Sequence, residues 1–181
     1  MTGLRVATRA LALVLLAVLA APMLWKAVSG DFYMTVQGRS MTPTYRIGDV
    51  LVVQDAVGDE LSRPGTVVVV ALAADAGRDA SMYVHRVVEP LDDGTAWLQG
   101  DGNAGRDPRP IAQQAVIGTP RTALTGPAGQ AFAASQSALG RVVLGGTALA
   151  LLIIPVRRTR ASTESARPEP EARAPSTRST T

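Results

Sequence analysis

Two long apolar runs lie near the ends of the chain, and short β-branched runs separated by turn residues fill the space between them. Residues Ala10 to Trp25 carry no charged side chain, and the run reaches Val28 if Lys26 snorkels to an interface. This is close to the roughly 20 residues that cross a bilayer, so the pattern predicts a transmembrane anchor over 10–28. Arg5, Arg9 and the small pair Ala20-Ala21 also fit a cleavable secretory signal. Pro22-Met23-Leu24-Trp25 continue the apolar run past any cut there, which favours an uncleaved anchor. The second run, Val142 to Val156, is interrupted only by Gly145, Gly146, Thr147 and Pro155 and stops at Arg157-Arg158-Thr159-Arg160. Membrane helices tolerate such residues. Extended back to Ala138, with Arg141 snorkelling, the run predicts a second transmembrane helix over 138–156; a buried core helix is the plainer alternative.

Between these runs the period is that of strands. Asp49–Gln54, Gly65–Ala71 and Met82–Val88 are β-branched and bounded by Gly, Pro or Asp, with Thr95–Gln99 and Ala115–Gly118 as weaker segments. No helical periodicity shows between Asp31 and Thr119. Residues 29–130 are therefore expected to form a small, mainly β, antiparallel domain. The tail over 157–181 is rich in Ala, Ser, Thr, Pro, Arg and Glu, lacks apolar residues to bury, and is expected to be disordered.

Charge adds a topology. The 181-residue chain has a net charge of +3, yet Asp31 to Pro127 holds ten Asp and two Glu against eight Arg, a net −4. The positive charge sits outside the middle region, in arginines flanking the apolar runs. Loops rich in Arg stay on the cytoplasmic side, so 1–9 and 157–181 are expected inside and residues near 30 to 130 outside, in a multi-pass protein of the cell membrane. No basic patch points to nucleic acid. The absence of cysteine excludes disulfides, thiol nucleophiles and cysteine metal sites.

The candidate chemistry rests on one imidazole. His85 is the only histidine and lies in Tyr83-Val84-His85-Arg86-Val87, where strand alternation puts it on one face with Tyr83 and Val87. Upstream, Ser40 follows Gly38, which permits unusual backbone angles, and precedes Pro43, which stiffens the exit. A serine in an ordinary turn and a histidine packed in a strand are the commoner outcomes for each residue alone. Together they supply a nucleophile and a general base for acyl transfer, with nearby backbone N–H groups able to hold an oxyanion. A loop, Gln99-Gly100-Asp101-Gly102-Asn103-Ala104-Gly105-Arg106-Asp107-Pro108, adds two carboxylates. Its calcium-loop reading fails at Arg106, where the sharp turn needs Gly, and at Ala112, where a bidentate Glu should stand. Asp107 or Asp101 could instead orient His85. No metal or cofactor is called for.

Five segments in order, Val36-x-Gly38-x-Ser40-Met41-x-Pro43-Thr44, Gly48-Asp49-Val50, His85-Arg86-Val87-Val88-Glu89, Gly100-Asp101-x-Asn103 with Asp107, and Val116-x-Gly118, resemble the successive boxes of type I signal peptidases. The resemblance covers most of Met34 to Gly118. It is to the branch with histidine in place of the catalytic lysine, found in the endoplasmic reticulum, archaea and some Gram-positive bacteria. The only lysine here, Lys26, precedes the serine at the first membrane boundary. The resemblance implies a catalytic unit of two antiparallel sheets with flanking transmembrane helices, and a serine endopeptidase in which Ser40 is nucleophile and His85 base. It gives Asp107 the orienting role and Asp101 an assisting one. The partners it implies are secretory preproteins with small residues at −1 and −3 of the cut, the lipid bilayer and the secretion translocon. The box around Asp101 departs from the family's Gly-Asp-Asn-Asn form. Gly38, two before the nucleophile, offers no hydroxyl to an oxyanion hole. An inactive relative that binds or scaffolds secreted proteins is the competing reading.

Overall fold

The computed structural model describes residues 2–72 and 81–153. The tail over 157–181 and the last residues of the second apolar run lie outside them. A 28-residue helix, α1 (Thr2–Ser29), leads into seven strands: β1 (Phe32–Thr35), β2 (Val50–Asp55), β3 (Val67–Ala71), β4 (Met82–Pro90), β5 (Thr95–Gln99), β6 (Ile111–Ala112) and β7 (Val116–Leu124). Two helices follow, α2 (Gly126–Gln136) and α3 (Ala138–Ile153).

The five expected strands all form, and β7 runs six residues further than its weak apolar signal reached. β1 and β6 were not anticipated. For β1 a signal existed, since Phe32, Met34 and Val36 alternate with polar or half-exposed neighbours and face the core.

The strands form one antiparallel sheet, in the order β1-β2-β7-β3-β4-β5-β6, where two sheets were expected. β7 makes the difference by pairing β2 with one edge and β3 with the other. Bulged registers at Val52/Val53 and Val69/Val70 bend the sheet there. Pro120, which cannot donate to a ladder, stands at the first bulge. A Cβ on Gly118 would collide with the Gln54 carbonyl, so only glycine lets these strands approach.

The curl creates two apolar cores. Phe32, Val36, Met41, Leu51, Val53, Val69 and Val84 fill one; Leu61, Val68, Val70, Val87, Ala96, Leu98 and Val116 fill the other. β3 separates them, with Val69 facing one side and Val68 and Val70 the other, which accounts for its unbroken run of valines.

α1 is long and apolar enough to cross a membrane, about 40 Å over Gly3–Ser29. Its outer surface exposes Leu13, Val14, Met23 and Leu24. α3 packs beside it through small residues: Ala12 and Ala148 are fully buried, and Gly145 meets Leu19. The expected second span differs in form. α3 has 16 residues and follows α2 across a 76° corner, so only the bent pair together has the length and composition of a span. A Cβ on Gly140 would strike the Ala134 carbonyl, so glycine permits the corner, and the Ser137 hydroxyl caps α3 by accepting from the Gly140 N–H at 3.0 Å. α2 begins within residues 29–130, expected to be β, and runs six residues past them. Its Gly129 lies against the Leu124 and Gly48 carbonyls.

Candidate active site

β4 carries the imidazole into the sheet. His85 is 8% exposed and pairs across the ladder with Val68. Its Nδ1 lies 2.8 Å from Asp107 Oδ1 and 2.9 Å from Oδ2. A carboxylate only accepts, so Nδ1 carries the proton and Nε2 is left as the free nitrogen. Asp107 is fixed in turn by its own backbone N–H, which donates to the Leu98 carbonyl at 2.8 Å on β5. Tyr83, two residues back on the same face of β4, sets its ring edge-on to the imidazole, 5.0 Å away at 76°. Burial, and after it the negative charge of Asp107, push the Tyr83 phenol up to about 12, so it stays protonated.

Asp101 faces a different partner. Arg86 donates to it twice, Nε to Oδ1 at 2.7 Å and Nη2 to Oδ2 at 2.6 Å, and the Thr44 hydroxyl adds a third bond. These hydrogen bonds, Arg86 first, hold the Asp101 carboxyl below its usual range. Of the two carboxylates offered by the sequence, the structure brings Asp107 to His85 and Asp101 to Arg86. Neither Arg86 nor Thr44 was singled out from the sequence.

Ser40 sits in a turn leaving β1, with Thr42 N–H donating to the Arg39 carbonyl and Tyr45 N–H to the Met41 carbonyl. The loop of Asp101 clamps this turn, since Gly102 N–H donates to the Ser40 carbonyl at 2.8 Å. Gly100 is where the parts converge. A Cβ there would collide with the Ser40 carbonyl oxygen and lie 2.9 Å from His85 Nε2. Serine and imidazole are therefore neighbours, although no hydrogen bond joins their side chains. Gly38 does not act as expected: it has no left-handed backbone angle, and a Cβ there would meet open space. Among the described residues no cluster of His, Cys, Asp or Glu is arranged to hold a metal.

Ser40 opens onto a cleft of about 500 Å³ between residues 33–38 of β1 and its exit, and 81–84 of β4. Among the described residues, the strand pairings of residues 33–35 of β1 are to β2 alone, and β4 meets β5 only from Arg86 onward, so both walls are strand edges. A slot between two such edges can take an extended chain through main-chain hydrogen bonds. Residues 15–119 match the family model described as Peptidase S24-like, a span that includes Ser40, His85, Asp101 and Asp107. No curated protein matches the chain.

Proposed function

The chain belongs to the Peptidase S24-like family, whose model matches more than half of it, and from that premise of a serine peptidase we propose a membrane-anchored signal peptidase acting outside the cytoplasmic membrane. The observation that carries this reading is Ser40 at the floor of a double-edged strand cleft, beside an imidazole held by a carboxylate. Such a slot suits a preprotein segment bound as an extended strand. With substrate in place, Ser40 Oγ rotates towards Nε2 and attacks the scissile carbonyl carbon while His85 takes its proton. Asp107 keeps the imidazole in the tautomer that accepts at Nε2 and stabilises the imidazolium that forms. His85 then protonates the leaving amine, and water enters to hydrolyse the acyl-enzyme by the same base. The Ser40 backbone N–H serves the oxyanion, since Gly38 supplies no hydroxyl. Lys26, the only lysine, lines a different pocket, which favours histidine as the base.

The membrane part of the proposal has α1 and the second apolar run, residues 138–156, crossing together with both ends in the cytoplasm. Their small-residue contact and the outward apolar surface of α1 support it. The decisive experiment reconstitutes the full chain in lipid with a preprotein bearing small residues at −1 and −3. Wild type should release the mature protein and Ser40→Ala should not. Cleavage by Ser40→Ala, or none by wild type, would overturn the reading.

A further inference from the structure

A second cavity, of about 440 Å³, opens where α1, β1, β4, α2 and α3 meet. It shares Tyr33 and Met82 with the cleft of Ser40, so the two lie side by side. Its walls are largely apolar, with Met23 from α1, and with Phe132 of α2 packed on Tyr33 at 5.0 Å between ring centroids. Two cations stand in it, Lys26 in the last turn of α1 and Arg141 in the first turn of α3. Among the described residues no carboxylate pairs with either. Arg141 reaches only the Gln136 side-chain carbonyl, at 3.4 Å.

Apolar walls with uncompensated positive charge fit a ligand that is greasy along its length and negative at its end. An α-helix presents that at its C-terminus, where the last four carbonyls have no helical partner and the helix dipole places about half a negative charge. We propose that this pocket receives the C-terminal turn of the substrate's own apolar helix, with Lys26 and Arg141 facing its free carbonyls. The inference rests on the signal-peptidase reading. It follows from position: a preprotein held in the membrane upstream of its cut must approach Ser40 from the membrane side, and the pocket lies at the end of α1, next to the cleft. From Ser40 back to Tyr33 an extended chain covers at most ~23 Å at about 3.3 Å per residue, so at most about seven extended residues separate the cut from the helix end. A lipid phosphate would answer the same charge, but it would not account for the apolar walls beside the cleft.

The test uses the full chain in vesicles, either phosphatidylcholine alone or with phosphatidylglycerol, and two substrates. One is a preprotein with its apolar helix; the other is a short peptide spanning only the cut. In the double variant Lys26→Gln/Arg141→Gln, kcat/KM for the preprotein should fall about three- to tenfold, mainly through KM. The short peptide, which does not reach the pocket, should be cleaved as before, and the loss should be equal in both vesicles. Both side chains are exposed, so folding should be unaffected, and the short peptide controls for it. Equal losses on both substrates, or none on either, overturn the inference. A loss confined to vesicles with phosphatidylglycerol overturns it in favour of a lipid phosphate. Failure of wild type to cleave either substrate removes the signal-peptidase reading itself.

Discussion

Arg86 holds Asp101 through both carboxylate oxygens, at 2.6 and 2.7 Å, one residue along β4 from the imidazole that Asp107 holds. Adjacent strand residues point to opposite faces. The two carboxylates of one loop are thereby divided between neighbours, and Asp101 is committed elsewhere. Replacing Asp107 by Asn should lower turnover by two to four orders of magnitude with the melting temperature little changed. Asp101→Asn should mainly cost stability, about 1–3 kcal/mol for a charge-assisted pair, with a smaller loss of rate. Turnover and thermal melts of both variants check this, and a fully active, normally stable Asp107→Asn enzyme would sink the assignment.

The Arg86–Asp101 pair also predicts an acid dependence. The Asp101 pKa is lowered in the folded chain, chiefly by Arg86, so its contribution is fully present above the ordinary carboxylate value of about 3.9 and fades as pH falls through the folded value. The stability gap between wild type and Asp101→Asn should stay level from pH 7 to 5 and shrink below about pH 4. Denaturant titrations across that range would show it. A gap at pH 3 as large as at pH 7 would contradict it.

Gly100 tests the convergence of loop, serine and histidine. Alanine there must push aside the Ser40 carbonyl and crowd His85 Nε2. Activity should fall by at least tenfold, and the Gly102–Ser40 backbone bond should weaken, visible as faster amide exchange at Gly102. Normal activity in Gly100→Ala would mean that the turn and β4 move apart without cost.

Asp31 joins α1 to the β domain. It is 1% exposed and accepts from the Trp25 indole at 3.0 Å and from Arg121 of β7 at 3.1 Å. Asp31→Ala leaves the indole N–H and the guanidinium without that acceptor and should cost about 1–3 kcal/mol. Cleavage by added protease near Gly30 should rise in step with the lower melting temperature. An unchanged melt and unchanged proteolysis would show that α1 is held by packing alone.

Much of the catalytic region was legible because its signals are local. A β-branched run bounded by Gly, Pro or Asp reads as a strand wherever it lies, which is why β2 to β4 emerged from the pattern and β5 more weakly. Ser40 and His85 stood out because one is set in a turn and the other is the only imidazole. The apolar run that became α1 was plain for the same reason, as its hydropathy depends on no partner. The extension of β7 was hidden because Gly118 and Pro120, read locally, end a strand. Only the close approach to Gln54 and the bulge beside Val53 explain their place within one.

The sequence by itself therefore determined the β character of the domain, the long apolar N-terminal helix, and a candidate serine, the one imidazole and two candidate carboxylates. Tertiary structure decided which carboxylate meets which base, because that depends on how the loop of residues 99–108 lies across the two faces of β4. It decided that the strands form a single sheet, because β7 pairs on both edges. It also decided that the cleft lies between two strands, because the curl brings β1 near the start of β4, some fifty residues away in the chain. Alternation along a strand is written in adjacent residues. The closing of distant edges around Ser40 is set by bulges, glycine contacts and core packing, whose partners lie far apart in sequence.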